Sequence, residues 1–185
     1  MLMETSNTSA PGFSGIGYQL LKQACLGWDK IWEGMSHTLI SVYNTCLSLG
    51  HHPAIWKEAT VTVIPKPDRP DYTRAKAHRP ISLLETMSKL LEKIIAKCMQ
   101  HEIVAHELIP TNQFGGWMHS SCLDAGLTLL HNVQRAQQVG LKCSILLFNI
   151  KGFFDNVTHD RMVNILRKLS YSHETVNWTD SFLKE

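Results

Sequence analysis

Apolar residues recur every fourth position at Ile31, Met35, Leu39, Tyr43 and Leu47. That spacing predicts an amphipathic helix over Trp28 to Leu49, ended by Gly50 and by Pro53 beyond it. A short helix is predicted ahead of it, from Tyr18 to Leu26. Residues 1–17 are rich in Ser, Thr, Gly and Pro and read as a loop or a frayed end. The β-branched run around Val61 and Val63 predicts a strand over 59–64, stopped by Pro65. Residues 65–80 hold four prolines, five basic and two acidic side chains, and read as a structured loop. Ser82 to Ala105 is predicted as a long helix with Leu90, Leu91, Ile94, Ile95, Cys98 and Met99 on one stripe. Pro110 to Ser121 reads as a Gly-containing loop. Ser121 and Asp124 resemble a capping start for a helix through Leu123, Leu127, Leu130 and Val133 that ends at Gly140. Cys143 to Ile150 is a continuous apolar run without polar alternation, which predicts a buried, central strand. Thr158 to Leu169 is predicted as another amphipathic helix.

Helix, strand, helix, helix, strand, helix is the pattern of an α/β or α+β layer fold. Two strands cannot close a sheet with a proper core, so further strands are missing or the chain is part of a larger unit. The chain has 185 residues, 44% hydrophobic and 18% charged. That excludes a wholly disordered tail. The net charge of +2 hides a local bias: Lys57 to Lys97 contains nine basic and five acidic residues, net +4, between flanks of net −1 each. A phosphate-binding patch is therefore expected mid-chain. Five cysteines at wide spacing, without a CxxC pair, support neither a disulfide framework nor a zinc knuckle. Ten scattered histidines read as surface residues. No secretory signal opens the chain and no run is long enough to span a bilayer, so an intracellular protein, nuclear or cytoplasmic and not secreted, is expected.

Three segments could carry chemistry. In the first, Ile64-Pro65-Lys66-Pro67 and His78-Arg79-Pro80 place a lysine and an arginine at proline-stiffened positions, which suits a polyanion such as a triphosphate. The plainer alternative, a solubilising surface loop, is favoured on composition alone. In the second, Phe148 to Asn156, a strand ends at Asn149 and turns sharply; strand ends of this kind often hold ligand-binding carboxylates. Asn149 could equally close a turn, and Asp155 could favour the start of the next helix. In the third, Gln113-Phe114-Gly115-Gly116-Trp117, glycines allow close backbone approach, or form an ordinary capping loop. Trp28, Trp32 and Trp56 read as packing residues, and Lys89, Lys93 and Lys97 as a solvated helix face.

Five segments in order, SAPGFSGIGYQLLK (9–22), WKEATVTVIPKPDRPDY (56–72), HRPISLLETMSKLLEKIIA (78–96), LIPTNQFGG (108–116) and FNIKGFFDNVTHDRM (148–162), resemble the reverse-transcriptase domain of non-LTR (LINE-type) retrotransposons, especially the fungal kind. The resemblance implies an incomplete fingers-and-palm fold, helix-rich with a small sheet. Residues 1–17 would be a flexible N-terminal segment and 18–55 a helical region. Residues 56–140 would be fingers-like, and 141–185 the truncated start of the palm. It implies RNA template, DNA primer and deoxynucleoside triphosphate as partners, and two divalent ions, Mg2+ by resemblance, held by three carboxylates. The first of these maps onto Asn149. Lys66 and Arg79 fall on triphosphate-holding positions. Phe154 falls on the aromatic position that excludes a ribose 2′-hydroxyl, and Ile150 completes the nucleotide-binding set. Arg69, Arg74, Lys76, Gly115 and Gly116 are the expected nucleic-acid contacts. Trp117 stands where an arginine is common.

An amide offers a hard cation one neutral oxygen in place of an anionic one. The resemblance further places the paired aspartates beyond Glu185. The expectation is therefore a catalytically inactive part of an RNA-directed DNA polymerase. Two other readings stand beside it: a non-catalytic nucleic-acid-binding module, and an unstable decayed element without a molecular role. Oligomeric state is left open.

Overall fold

The computed structural model describes residues 1–26, 30–110, 112–117, 120–153 and 156–184, apart from the side chains of 26 and 30–33. The chain is helix-rich with one small sheet, an α+β arrangement. Helix α1 (Tyr18–Leu26) forms over the expected residues, and α2 (Lys30–Ser48) forms within the stretch that the four-residue periodicity marked. They bury Tyr18, Leu21, Leu39, Tyr43 and Cys46 against Leu90, Leu91 and Ile95 of α3 (Thr86–His106). Leu91 and Ile95 are almost wholly enclosed. Each such side chain contributes about 1.5–3 kcal/mol by leaving water.

The same long helix serves a second cluster. Val163 and Leu166 of α5 (His159–Lys168) pack with Tyr171 and Val176, and Met99 and Ile103 of α3 close that cluster from outside. Helix α6 (His173–Leu183) joins the two, because its Trp178 lies in the first and its Val176 in the second. The periodicity reading stopped at Leu169 and did not include α6. Its local start signal is Ser172, whose hydroxyl accepts from the Thr175 N–H at the helix N-terminus.

The sheet differs from expectation in two ways. First, β1 (Ala59–Pro65) pairs antiparallel with β2 (His78–Leu84), so residues 78–80 are strand and not loop. Pro80 sits opposite Val63. A two-stranded ribbon has only edge strands, where a missing N–H can face solvent, so the rule against proline holds only for inner strands. Pairing of Ser82 with Val61 keeps the backbone extended to Leu84, and the helix predicted from Ser82 begins at Thr86.

Second, the stretch from Cys143 to Ile150 is neither strand nor buried. Leu146, Leu147 and Phe148 are 76%, 86% and 85% exposed. An apolar run becomes a central strand only when neighbours take its N–H and C=O groups. Among the described residues no strand lies beside it. Helix α4 (Cys122–Gln138) has the predicted reciprocal cap: the Ser121 hydroxyl accepts from the Asp124 N–H, and the Asp124 carboxylate accepts from the Ser121 N–H at 2.8 Å. None of its side chains is buried.

The N-terminal segment is tied down rather than frayed. The Glu85 carboxylate accepts the Ser14 N–H at 2.8 Å and also its hydroxyl, and the Thr86 hydroxyl donates to the Ile16 carbonyl. Gly12 lies so close to the β2–α3 junction that a Cβ there would sit 2.7 Å from the Glu85 nitrogen. The lysine stripe on α3 faces this segment and is not a free solvated face. Lys89 donates to the Ala10 carbonyl at 2.9 Å, and Lys93 and Lys97 both pair with Glu4. No helix among the described residues is long and apolar enough to cross a membrane.

Candidate nucleic-acid interface

Five of the nine basic residues of the mid-chain segment, Lys66, Arg69, Arg74, Lys76 and Arg79, lie at the end of the β1–β2 ribbon. The ladder places Arg79 opposite Ile64, and the Lys66 N–H extends it by donating to the Ala77 carbonyl at 2.8 Å. By the two-residue alternation of strands, Lys66 and Arg79 fall on one face as diagonal neighbours. The Lys66 ammonium is already engaged, donating to the Lys76 carbonyl at 2.8 Å.

Between them, residues 67–77 fold back on themselves. Asp68 takes a left-handed φ of 56° after Pro67. Asp71 caps the next turn, accepting from the Thr73 N–H at 2.9 Å and its hydroxyl at 2.6 Å, while its other oxygen meets Arg74 Nε at 3.1 Å. The two Thr73 hydrogen bonds hold the Asp71 carboxyl below its ordinary range, with Arg74 a smaller contributor. A short 3-10 turn, Ala75–Ala77, then leads into β2. Arg69, Pro70, Asp71, Arg74, Lys76 and Ala77 line a hollow of about 340 Å3. Among the described residues Arg69, Lys76 and Arg79 form no ion pair. The loop and the start of β2 thus present Arg69, Lys76 and Arg79 without a carboxylate partner among the described residues, and Arg74, which is shared with Asp71.

The other expected site residues are not drawn into this arrangement. Asn149 and Ile150 lie on the exposed stretch after Cys143, and among the described residues neither has a hydrogen bond or an ion pair. Gly115 and Gly116 occupy a turn in which Gln113 Nε2 donates to the Gly115 carbonyl at 3.1 Å, and Gly116 adopts φ 70°. Phe154, like Asp155, lies outside the described residues. The donor set does not fit a divalent cation. Position 149 offers a neutral amide, and among the described residues no group of three His, Cys, Asp or Glu side chains converges.

Sequence reasoning missed Tyr72. Its hydroxyl donates to the Lys66 carbonyl at 2.9 Å. Nothing in the residue pattern announces that contact, because it depends on the path of the loop.

A family profile described as reverse transcriptase (RNA-dependent DNA polymerase) matches residues 64–185. The chain is 30% identical over 131 residues to the probable RNA-directed DNA polymerase from transposon BS of Drosophila melanogaster, which covers 71% of this chain and 14% of that protein. It is 28% identical over 163 residues to the corresponding polymerase from transposon X-element of the same organism, covering 86% of this chain and 17% of the relative. A 77-residue match to the RNA-directed DNA polymerase from mobile element jockey reaches 31% identity, over 42% of this chain and 8% of that protein. The chain therefore spans less than a fifth of the length of each of these relatives. Profile and relatives agree on one assignment: the chain belongs to the reverse transcriptase (RNA-dependent DNA polymerase) family, in the branch carried by non-LTR retrotransposons.

Proposed function

We propose that this chain forms the fingers and the first part of the palm of an RNA-directed DNA polymerase, and that its β1–β2 loop binds nucleic-acid phosphates. The observation that carries the reading is the set of cations without an ion pair among the described residues, Arg69 and Lys76 on a loop whose backbone is already folded and Arg79 at the start of β2. Phosphate contacts of this kind give affinity without base specificity. In this reading Lys66 and Arg79 meet an incoming deoxynucleoside triphosphate, and Lys66 exchanges its bond to the Lys76 carbonyl for a phosphate oxygen. Arg69, Arg74 and Lys76, with the turn at Gly115 and Gly116, face the template and primer. Ile150 and Phe154 complete the nucleotide site. An intracellular setting, nuclear or cytoplasmic, belongs to the same reading and is supported by five unpaired thiols.

The chain by itself is catalytically silent in this reading. Related polymerases use divalent ions, Mg2+ in the usual case, and Asn149 supplies no anionic ligand for one. The second reading, a non-catalytic nucleic-acid-binding module, shares the same loop and differs only in what the rest of the polymerase contributes.

Titration of a fluorescently labelled RNA–DNA primer–template across a salt series tests the proposal. Three released counterions, at Arg69, Arg74 and Lys76, give a slope of log K against log salt near about −2 to −3. Absence of binding at low salt would remove the reading.

A further inference from the structure

The loop between the two strands is braced from within by one phenol. Tyr72 Oη donates to the Lys66 carbonyl at 2.9 Å and accepts from the Arg69 N–H at 3.4 Å. Its ring meets the His78 ring edge-on, with centroids 6.1 Å apart. One side chain thus links the residue after β1, the turn and the first residue of β2. It also remains 46% exposed.

We propose that Tyr72 is a positioning residue for polyanion binding: it fixes the spacing of Arg69, Arg74 and Lys76 by bracing their backbone, and adds no charge of its own. The proposal rests on the reading that this loop binds nucleic-acid phosphates. A loop that orders only on contact loses affinity to the entropy of ordering, and one already folded does not. The two basic residues nearest the turn, Arg69 and Arg74, stand three before and two after this tyrosine, so its hydrogen bonds act where the charges are carried. An exposed tyrosine can also stack on a base. That alternative depends on the ring and not on the hydroxyl.

Tyr72→Phe separates the two, because it keeps the ring and removes both hydrogen bonds. The same labelled primer–template is titrated against the unaltered protein, Tyr72→Phe and Arg74→Ala. Bracing predicts that Tyr72→Phe binds about three- to tenfold more weakly at every salt concentration, with an unchanged salt slope. Arg74→Ala should make the slope shallower by about one. Trypsin supplies a readout within the loop. Lys66 and Arg69 precede prolines and resist cleavage, so the bonds after Arg74 and Lys76 report on loop order. Their cleavage should quicken in Tyr72→Phe while the melting temperature stays put, since the ribbon contributes nothing to either core cluster. Equal affinity of Tyr72→Phe and the unaltered protein overturns the proposal, as does unchanged cleavage. If the unaltered protein itself fails to bind at low salt, the underlying reading fails and this one with it.

Discussion

Glu102 on α3 accepts the backbone N–H of Ser172 at 2.6 Å and the Ser172 hydroxyl at 2.9 Å, 70 residues further along the chain. The Thr175 hydroxyl donates to the same carboxylate at 2.8 Å. A side chain from one helix therefore satisfies the N-terminus of another, a task usually left to the third residue of the capped helix itself. Burial alone would raise the Glu102 carboxyl, but the Ser172 and Thr175 hydrogen bonds together outweigh it and hold the group below its usual range. A lowered carboxyl pKa means stability that is present above the unfolded value and lost as pH falls through the folded one. Glu102→Ala should cost about 1–2 kcal/mol, read as a lower denaturation midpoint with unchanged m-value. An unshifted midpoint would show that this cap contributes nothing.

His52 gives a second pH dependence, of a different kind. Its ring is fully enclosed, edge-on to Trp56, Trp178 and Phe182. Ser88 donates to Glu92 at 2.6 Å, so at 3.3 Å its oxygen receives the His52 Nε2–H, leaving Nδ1 a bare acceptor without a partner among the described residues. Burial pushes this imidazole down to about 4, and the nearby Lys57 and His51 push the same way. The folded state therefore refuses a proton that the unfolded state accepts near its ordinary value of about 6.5. The His52 contribution to stability should be flat above about pH 6.5, fall on the way to about pH 4, and level off below, by at most about 3 kcal/mol. Melting curves of the unaltered protein and of His52→Phe across that window check this. The difference between them should shrink as pH falls, and a constant difference would contradict the assignment.

Gly12 is required by close approach rather than by backbone freedom. An added Cβ would lie 2.7 Å from the Glu85 nitrogen and 2.8 Å from the Leu84 carbonyl carbon, both main-chain atoms that cannot swing aside. Gly12→Ala should displace the N-terminal segment and cost about 1–3 kcal/mol. Faster proteolysis within residues 5–17 is the accompanying local signature. A variant as stable and as protease-resistant as the parent would mean that the segment rides freely.

Asn149→Asp restores a carboxylate at the position where the family resemblance implies one. Because no other metal-ligating group converges among the described residues, the substitution should leave the chain unable to extend a primer. Detectable DNA synthesis by the Asn149→Asp protein in a primer-extension assay would refute the proposal that this chain is silent alone. The residue is exposed and makes no hydrogen bond among the described residues, so the melting temperature should hardly move.

What the residues disclosed in advance depended on how local the physics was. The helix at Tyr18–Leu26 and the Ser121–Asp124 cap rest on interactions within a few positions, and both appear as expected; the strand at Val61–Val63 also appears, its β-branched residues legible although its partner strand was not. Strand β2 was hidden by Pro80, whose meaning depends on whether a third strand lies alongside. The run Ile145–Phe148 carries the composition of an interior strand, yet composition cannot supply the neighbours that would make it one. The lysines of α3 looked free because their partners, Glu4 and the Ala10 carbonyl, sit some eighty to ninety residues away. The loop's proline density and charge were legible, and the phenol that organises it was not.

Helix α3 reaches into both apolar clusters, with Leu91 and Ile95 at one end and Met99 and Ile103 at the other. Unwinding this shared rod would strip both clusters of packing partners at once. The body of the molecule should accordingly melt in one step, with calorimetric and van't Hoff enthalpies in agreement, while the ribbon and α4 register almost nothing.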